Sequence, residues 1–251
     1  MPYFDASPSA LQRRFGIAAT DLPDAAIIVG QWGQGRYFDH VPTIWPGARE
    51  IEEHSILVEE CGSRIWISVV FGAAMAATVA HFAARLGARG IIQVGSMGGL
   101  AAAGRPGDVL IPSRVIGQDG VSRQLSRNRP MEPNPDLSAS VRDELAARLP
   151  GTVIRDGVLD STTTISLERD RDVARWRRSG FAGVEMEAAA TISTALHLGV
   201  PAAAVLVLSD NLADGHTFFT LSGHDEDCIA TFKDAVLRAS AAALVARLTS
   251  D

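Results

Sequence analysis

Hydrophobic and polar positions follow one another along the chain in blocks that predict strands and helices in turn. Short apolar runs without polar residues predict strands buried on both faces, as in a parallel sheet. Ala-rich or amphipathic blocks with an apolar residue every three or four positions predict the helices between them. Strands are predicted at 25–29, 56–58, 64–71, 90–94, 108–117, 152–159 and 202–208. Helices are predicted at 72–86, 135–149, 167–179, 191–198 and 225–248.

This alternation places the chain in the α/β class, with a mainly parallel, twisted sheet. No linker, repeat or low-complexity tract interrupts the pattern, so residues 1–251 are predicted to form a single domain. Two segments lack a periodic pattern. Residues 118–135, which are polar and contain three prolines, are predicted to be a long loop, and residues 211–223 to be irregular.

Acidic residues stand at two strand exits late in the chain. Glu185 and Glu187 lie where a strand is predicted to become a helix, and Asp210 follows the apolar run 202–208. Ligands in open α/β sheets bind beyond the carboxyl ends of the strands. Two carboxylates two positions apart point about 200° apart on a regular helix. Both can therefore face one pocket only if they straddle the strand-to-helix turn, an arrangement typical of a binding site.

Two glycine-rich turns follow other predicted strands. Residues 30–36 approach a Walker loop, but Arg36 and Tyr37 stand where that loop needs Lys and Ser or Thr. A strand-end glycine turn with an arginine is better suited to one inorganic anion. Residues 95–99 lack the glycine that a nucleophile elbow needs two positions before Ser96, so serine hydrolysis loses its main support. The turn still lets a ligand approach its backbone; a tight turn without function is the alternative.

Charge and cysteine content exclude several classes of function. A net charge of −6 argues against general nucleic-acid binding, which needs a basic face. The two cysteines form neither a CxxC pair nor a disulfide framework, which suits a reducing cytoplasm. No signal peptide is visible, and the longest apolar runs are well below the roughly 20 residues of a membrane span. We therefore expect a cytoplasmic protein with no membrane or nucleic-acid partner.

A cluster of histidines and acids precedes the last predicted helix. It comprises His216, His224 and residues 225–227, but it has no HxxxH or comparable ligand spacing. Acids at this position favour the N-terminus of a helix without any further partner. Helix capping is thus the better interpretation, and no metal site is predicted.

Three segments together resemble the signatures of the nucleoside phosphorylase-I family. This family contains purine nucleoside phosphorylases, uridine phosphorylases and related nucleosidases. The segments are IIQVGSMGG at 91–99, GVEMEAA at 183–189 and VLSDN at 207–211, and the resemblance extends from about residue 25 to 248. It implies a mixed sheet, partly closed into a barrel and flanked by helices. It also implies a homo-oligomer (a dimer, trimer or hexamer) with a site shared between subunits.

The resemblance also implies roles for individual residues. Asp210 matches the acid with which purine-acting members protonate the leaving base, and Glu187 would hold the ribose hydroxyls. Met186 would pack against the sugar with Glu185 beside it, and Ile165 falls where an aromatic residue often stacks on the base. Further contacts to the nucleoside are expected from Met97, Gly98 and Ser209. Contacts to phosphate, the co-substrate in place of a cofactor, are expected from Gly30, Arg36, Arg49, Gln93 and Ser96. Arg49 resembles the arginine that reaches into a neighbouring subunit's site.

The chemistry agrees with these roles. Cleavage of a glycosidic bond develops positive charge on the sugar and negative charge on the departing base. A carboxylate at the ribose hydroxyls favours the first, and a proton donor favours the second. Because a free aspartic acid has a pKa of about 3.9, Asp210 needs apolar surroundings to serve as an acid near neutrality.

The chain departs from the family at the expected anion site. Phosphorylases carry an arginine where this chain has Gln93, and a Gly-Asp-Pro-x-Arg loop where it has residues 30–36. A neutral glutamine can only hydrogen-bond. Three hypotheses follow. The leading one is a nucleoside phosphorylase that cleaves the N-glycosidic bond of a purine nucleoside with phosphate as the acceptor. The others are a hydrolytic nucleosidase that uses water and a non-catalytic nucleoside-binding protein, and Asp210 and Glu187 argue against the last of these.

Overall fold

The computed structural model describes residues 5–31, 35–52, 55–101 and 104–250. Its strands are β1 (Ala25–Gly30), β2 (Arg49–Glu52), β3 (Ser55–Glu60), β4 (Ser63–Val70), β5 (Ile91–Gly99), β6 (Val109–Gly117), β7 (Ile154–Ser161), β8 (Phe181–Glu185) and β9 (Ala202–Asn211). Its helices are α1 (Pro8–Phe15), α2 (Gly35–Ile44), α3 (Ala73–Leu86), α4 (Gly120–Ser126), α5 (Pro135–Arg148), α6 (Asp170–Arg178), α7 (Ala188–His197) and α8 (Gly223–Ser250). No helix in these ranges is long and apolar enough to cross a membrane.

The described strands form one mixed sheet that closes on itself at one end. Its order is β2-β3-β4-β1-β5-β8-β7-β6-β9, and β9 pairs in addition with β5. The five strands from β5 to β9 thus form a barrel-like ring. Within the sheet, β1 lies parallel to both β4 and β5, and β5 lies parallel to β9. The predicted α/β class, with a partly closed sheet flanked by helices, is confirmed.

Two hydrophobic clusters cover the two faces of the sheet. Alternate residues of β1 show the division: Ala26 and Ile28 pack into the cluster that includes α3 and α7. Ala25, Ile27 and Val29 pack into the cluster that includes α5 and α8. Side chains of successive strand residues point to opposite faces, so a strand without polar residues requires helices on both sides.

The glycine segment 95–99, predicted as a turn, is instead the second half of β5. The strand continues because β9 pairs with it as far as Gly99, and β8 pairs with Gly98 and Gly99. Missing side chains make room for neighbours: a Cβ at Gly99 would lie 2.6 Å from Leu208 Cδ1. The glycines therefore let neighbouring side chains pack closely against this strand of the barrel, and they do not end the strand.

The segment 118–135, predicted as a long loop, contains the helix α4. Asp119 caps this helix by accepting a hydrogen bond from Ser122 N at 2.8 Å. Within β6, the pairing with β7 shifts its register between Pro112 and Arg114. Helix α4 is short, and the polar composition of the surrounding sequence conceals it.

Candidate active site

A cavity of about 360 Å³ lies at the ends of β1, β5, β8 and β9, where the barrel meets the open part of the sheet. Most of the predicted site residues line it. They are Gly30, Ser96, Met97, Gly98, Ile165, Glu185, Met186, Glu187, Ser209 and Asp210. The volume lies within the range of about 300–1,000 Å³ typical of small-molecule sites.

The Glu-Met-Glu segment straddles the strand-to-helix turn, as the spacing of its carboxylates predicts. Glu185 is the last residue of β8, and Glu187 directly precedes the first residue of α7. The two side chains are 5% and 4% exposed, so both carboxylates are withdrawn from water. Each needs hydrogen bonds in compensation.

Glu185 finds its partners within the protein. One of its oxygens accepts hydrogen bonds from the backbone N–H of Glu187 and of Ala188, both at 2.7 Å. The other accepts from the Ser161 hydroxyl, whose oxygen in turn accepts from Ala189 N at 2.9 Å. Burial, and next the charge of Glu187, raise the pKa of Glu185. These contacts hold the first turn of α7, so Glu185 positions Glu187, and its contact with a substrate stays a prediction.

Glu187 reaches from the start of α7 across to β1 and to the turn before α3. Its Oε1 accepts a hydrogen bond from Gly72 N at 2.6 Å. Its Oε2 lies against Gly30, where an added Cβ would come within 2.6 Å of it. Burial raises the pKa of Glu187, and the Gly72 hydrogen bond opposes this rise. A carboxylate so placed is held in one orientation at the wall of the cavity.

Asp210 lies on β9 and is 7% exposed. The Ser209 hydroxyl lies within hydrogen-bond distance of two acceptors, Asp210 Oδ1 at 2.6 Å and the carbonyl oxygen of Met97 at 3.1 Å. A hydroxyl carries one proton, so the shorter contact, to the Asp210 carboxyl group, is the stronger hydrogen bond. Ser209 thus holds the Asp210 carboxyl group in place at the cavity.

Glu168 is a site residue that the sequence did not reveal. A 3₁₀ turn at Ile165–Leu167 brings it into the cavity that Asp210 lines. Burial, and next the charge of Asp210, raise the pKa of Glu168 to about 7. Its proximity to Ile165 in the sequence was the only available signal. The cavity therefore holds four carboxyl groups, and the pKa of this one lies near neutrality.

Some of the residues predicted to bind an anion line the cavity, and others lie elsewhere. Gln93 is fully buried behind the cavity, where its Nε2 donates to Val94 O at 3.2 Å, and it is not among the lining residues. Arg49 lies on β2, away from the cavity, and pairs with Asp21. A role of Arg49 in a neighbouring subunit's site stays a prediction. The side chain of Arg36 lies outside the described part of the structure.

Lys233 is a second unpredicted residue of the cavity. It extends from α8, and its Nζ donates to Gln31 Oε1 at 3.3 Å. Burial lowers the pKa of Lys233. The available signal was composition, since Lys233 is the only lysine in the chain.

Among the described residues, no group of three or more His, Cys, Asp or Glu side chains is placed to hold a metal ion. In the predicted capping segment, Asp225 accepts a hydrogen bond from Ser222 N at 2.9 Å at the start of α8. This contact agrees with its interpretation as a capping residue.

Comparisons with known proteins identify the fold and the family. The family model described as "Phosphorylase superfamily" matches residues 46–248. The structure is similar to a purine nucleoside phosphorylase from Toxoplasma gondii, in complex with immucillin-H, with a TM-score of 0.78 and 17% identity over 94% of this chain and 95% of that one. It is also similar to a uridine phosphorylase from Vibrio fischeri, with a TM-score of 0.75 and 18% identity over 91% and 93% of the two chains. Among curated protein sequences, none matches significantly.

Proposed function

We propose that this chain, which belongs to the phosphorylase superfamily, is a nucleoside phosphorylase. The reaction is cleavage of the N-glycosidic bond of a purine nucleoside by inorganic phosphate, which gives the free base and a pentose 1-phosphate. One observation carries the proposal: two buried carboxyl groups line the same cavity, Asp210 from strand β9 and Glu187 from the turn between β8 and α7. The volume of about 360 Å³ suits a nucleoside.

Asp210 is the proposed general acid. The leaving base gains negative charge as the glycosidic bond breaks, and a proton from Asp210 neutralises it. The Ser209 hydroxyl holds the Asp210 carboxyl group in the cavity. Glu168 lines the same cavity, and two adjacent carboxylates resist ionising together, so this pair of carboxyl groups retains a proton near neutrality. Such a positioned acid contributes about 10²–10⁴-fold in rate.

Glu187 is the proposed partner of the sugar. The sugar becomes oxocarbenium-like in the transition state, and a carboxylate at its hydroxyls stabilises the positive charge. The Gly72 hydrogen bond and the closeness of Gly30 fix the carboxylate before the substrate arrives. A donor or acceptor fixed in advance loses no energy to reorganisation during the reaction. Met186, which follows Glu185 along the same wall, is proposed to pack against the sugar.

A hydrolytic nucleosidase is the second candidate, and Gln93 is the observation that favours it. This buried side chain is neutral, so β5 brings no positive charge to the cavity at this position. With water in place of phosphate, the same acid and the same sugar-binding carboxylate would release the base and a free pentose. The two candidates differ only in whether base release requires phosphate.

We further propose that the chain acts as a cytoplasmic homo-oligomer. A second, largely apolar hollow of about 1180 Å³ opens beside the site and shares Phe71 and Met186 with it. A second copy of this chain would bury these apolar residues next to the cavity. Cys61 and Cys228 are both free, which agrees with a reducing compartment. Sedimentation should give at least a dimer; a monomer at all concentrations would contradict this part of the proposal.

Replacing Asp210 by asparagine tests the catalytic role directly. Asparagine keeps the size of the side chain and removes its transferable proton, so kcat for base release should fall about 10²–10⁴-fold. Nucleoside affinity, measured by calorimetry, should change far less. Asp227→Asn, at an exposed position of α8, is the control and should leave kcat unchanged. Unaltered turnover in a folded Asp210→Asn variant would remove Asp210 from the mechanism.

A further inference from the structure

Lys233 is the only lysine in the chain, and it lies at the candidate active site. All other residues among the 23 lysines and arginines are arginines. Many of those arginines take part in ion pairs at the surface, whereas Lys233 extends from α8 into the cavity that Gly30, Gln31 and Glu187 also line. A lone lysine at this position needs an explanation other than general solubility.

The amine of Lys233 lacks a counter-charge. Its hydrogen bond is to the neutral side-chain oxygen of Gln31, at 3.3 Å. No ion pair between described residues includes Lys233. Burial therefore lowers its pKa, with no opposing carboxylate. A half-buried ammonium in this state is stabilised by any anion that arrives beside it.

Three of the four carboxyl groups that line the cavity, those of Glu185, Glu187 and Asp210, already accept hydrogen bonds within the protein. Glu185 accepts two backbone N–H groups and the Ser161 hydroxyl, and Glu187 accepts Gly72 N. A nucleoside is uncharged and requires no ammonium group. Inorganic phosphate requires positive charge. Of the two substrates in the proposed reaction, phosphate is thus the one that Lys233 suits.

The surroundings of Lys233 also suit an oxyanion. The hydroxyl residue Ser96 lines the same cavity and can donate a hydrogen bond to an anion. We propose that Lys233 binds the phosphate co-substrate and supplies from α8 the positive charge that Gln93 cannot supply from β5. This inference rests on the proposed phosphorylase function. In this chain, a lysine on the last helix would take the role of the arginine that phosphorylases carry on the central sheet, at the position of Gln93.

A phosphate bound beside the amine would raise the pKa of Lys233, because a nearby anion favours the charged form by about 1–3 units. By linkage, phosphate affinity should fall as the pH rises through the titration of the lysine. Both effects can be observed directly, because reductive ¹³C-methylation gives this lysine one NMR signal, separate from that of the α-amino group.

The first test is a pH titration of that signal in the full chain. Phosphate should move its midpoint upward by about 1–3 units, whereas chloride at equal ionic strength should not. Equal midpoints in phosphate and chloride would overturn the proposal. This measurement does not depend on turnover or on the folding of a variant.

The second test separates the two substrates kinetically. In Lys233→Met the KM for phosphate should rise about 10–100-fold, the loss of one charge-assisted hydrogen bond, while the KM for nucleoside stays within about twofold. Lys233→Arg keeps the charge and should restore most of the phosphate affinity. Arg238→Met, an exposed cation on the same helix, is the matched control. A phosphate KM unchanged in Lys233→Met would overturn the proposal.

Failure of the proposed function gives a different result. If base release from the wild-type chain does not depend on phosphate, phosphorolysis is wrong. Calorimetric binding of phosphate to the wild type and its loss in Lys233→Met would still establish the lysine as an anion ligand. If phosphate does not bind to the wild type, both the phosphorylase function and the anion-binding role of Lys233 are wrong.

Discussion

At the scale of single residues, the site is built from acids that the fold withdraws from water. Glu185, Glu187 and Asp210 are all less than a tenth exposed, and Glu168 shares their cavity. Hydrogen bonds from backbone amides and hydroxyls hold three of them in place. Burial raises the pKa values of Glu185 and Glu187, and the hydrogen bonds that they accept oppose this rise. The proposed reaction takes its proton from Asp210.

Glu168 predicts a pH dependence of stability with a definite sign. Its pKa in the folded protein, about 7, lies above its ordinary value of 4.5, so the folded protein retains the proton that the unfolded chain releases. The stability contributed by this group is therefore full below about pH 4.5 and is lost as the pH rises toward 7. Glu168→Gln removes this loss. We expect the Tm of the variant, relative to the wild type, to rise by about 2–4 °C between pH 4.5 and pH 8.

Thermal unfolding monitored by circular dichroism at several pH values measures this difference. Glu50→Gln, at an exposed position on β2, is the control and should give a difference that does not change with pH. A flat difference for Glu168→Gln as well would show that the folded protein does not retain a proton on Glu168.

At the scale of elements, the site depends on how closely a strand end approaches a carboxylate. Gly30 ends β1 beside Glu187, whose own orientation is set by the turn from β8 into α7. A side chain at residue 30 would occupy the space that the carboxylate now fills. The position of the Glu187 carboxylate thus depends on the missing side chain at Gly30 as well as on the turn before α7.

Gly30→Ala should therefore displace Glu187. The added methyl would lie 2.6 Å from Glu187 Oε2 and 2.9 Å from Glu187 Cδ, so the carboxylate must move. We expect kcat/KM for base release to fall at least about tenfold, equivalent to about 1.4 kcal/mol of transition-state stabilisation. Gly47→Ala, where the methyl meets nothing within 4 Å, should behave as the wild type. Full activity in a folded Gly30→Ala variant would contradict the assigned position of the carboxylate.

The sequence predicted most elements of the fold because buried strands carry an unmistakable apolar pattern. The runs that became β1, β4 and β9 are examples. It failed where tertiary pairing decided the outcome, as in the glycine half of β5, or where one capping side chain stabilised a short helix, as in α4. Glycine composition favours a turn in isolation, and only the neighbouring strands turn it into a strand.

The site was predictable where its residues follow one another in the sequence and hidden where they do not. Glu185, Met186 and Glu187 form one segment, so their approach to a common cavity followed from the strand-to-helix turn. Lys233 and Gln31 are 202 positions apart, and only the packing of α8 against the sheet brings them together. Their separation in the chain explains why an anion ligand on the last helix could not be foreseen.

At the scale of the whole molecule, the closure of the sheet determines where the chemistry takes place. The pairing of β9 with both β5 and β6 forms the ring, and it brings Asp210 to the cavity that Glu187 also lines. Helices pack on both faces of the sheet and exclude water from its strands. A mixed sheet that is partly closed can therefore bring a carboxyl group on a strand and another on a strand-to-helix turn to one small volume.

Base release from purine and pyrimidine nucleosides, measured with and without inorganic phosphate, shows whether the protein cleaves a nucleoside by phosphate. We predict release from purine nucleosides that requires phosphate and yields one pentose 1-phosphate for each base. Equal release without phosphate, with free pentose as the product, would contradict the phosphorylase and leave the nucleosidase. Saturable binding without any release would contradict both.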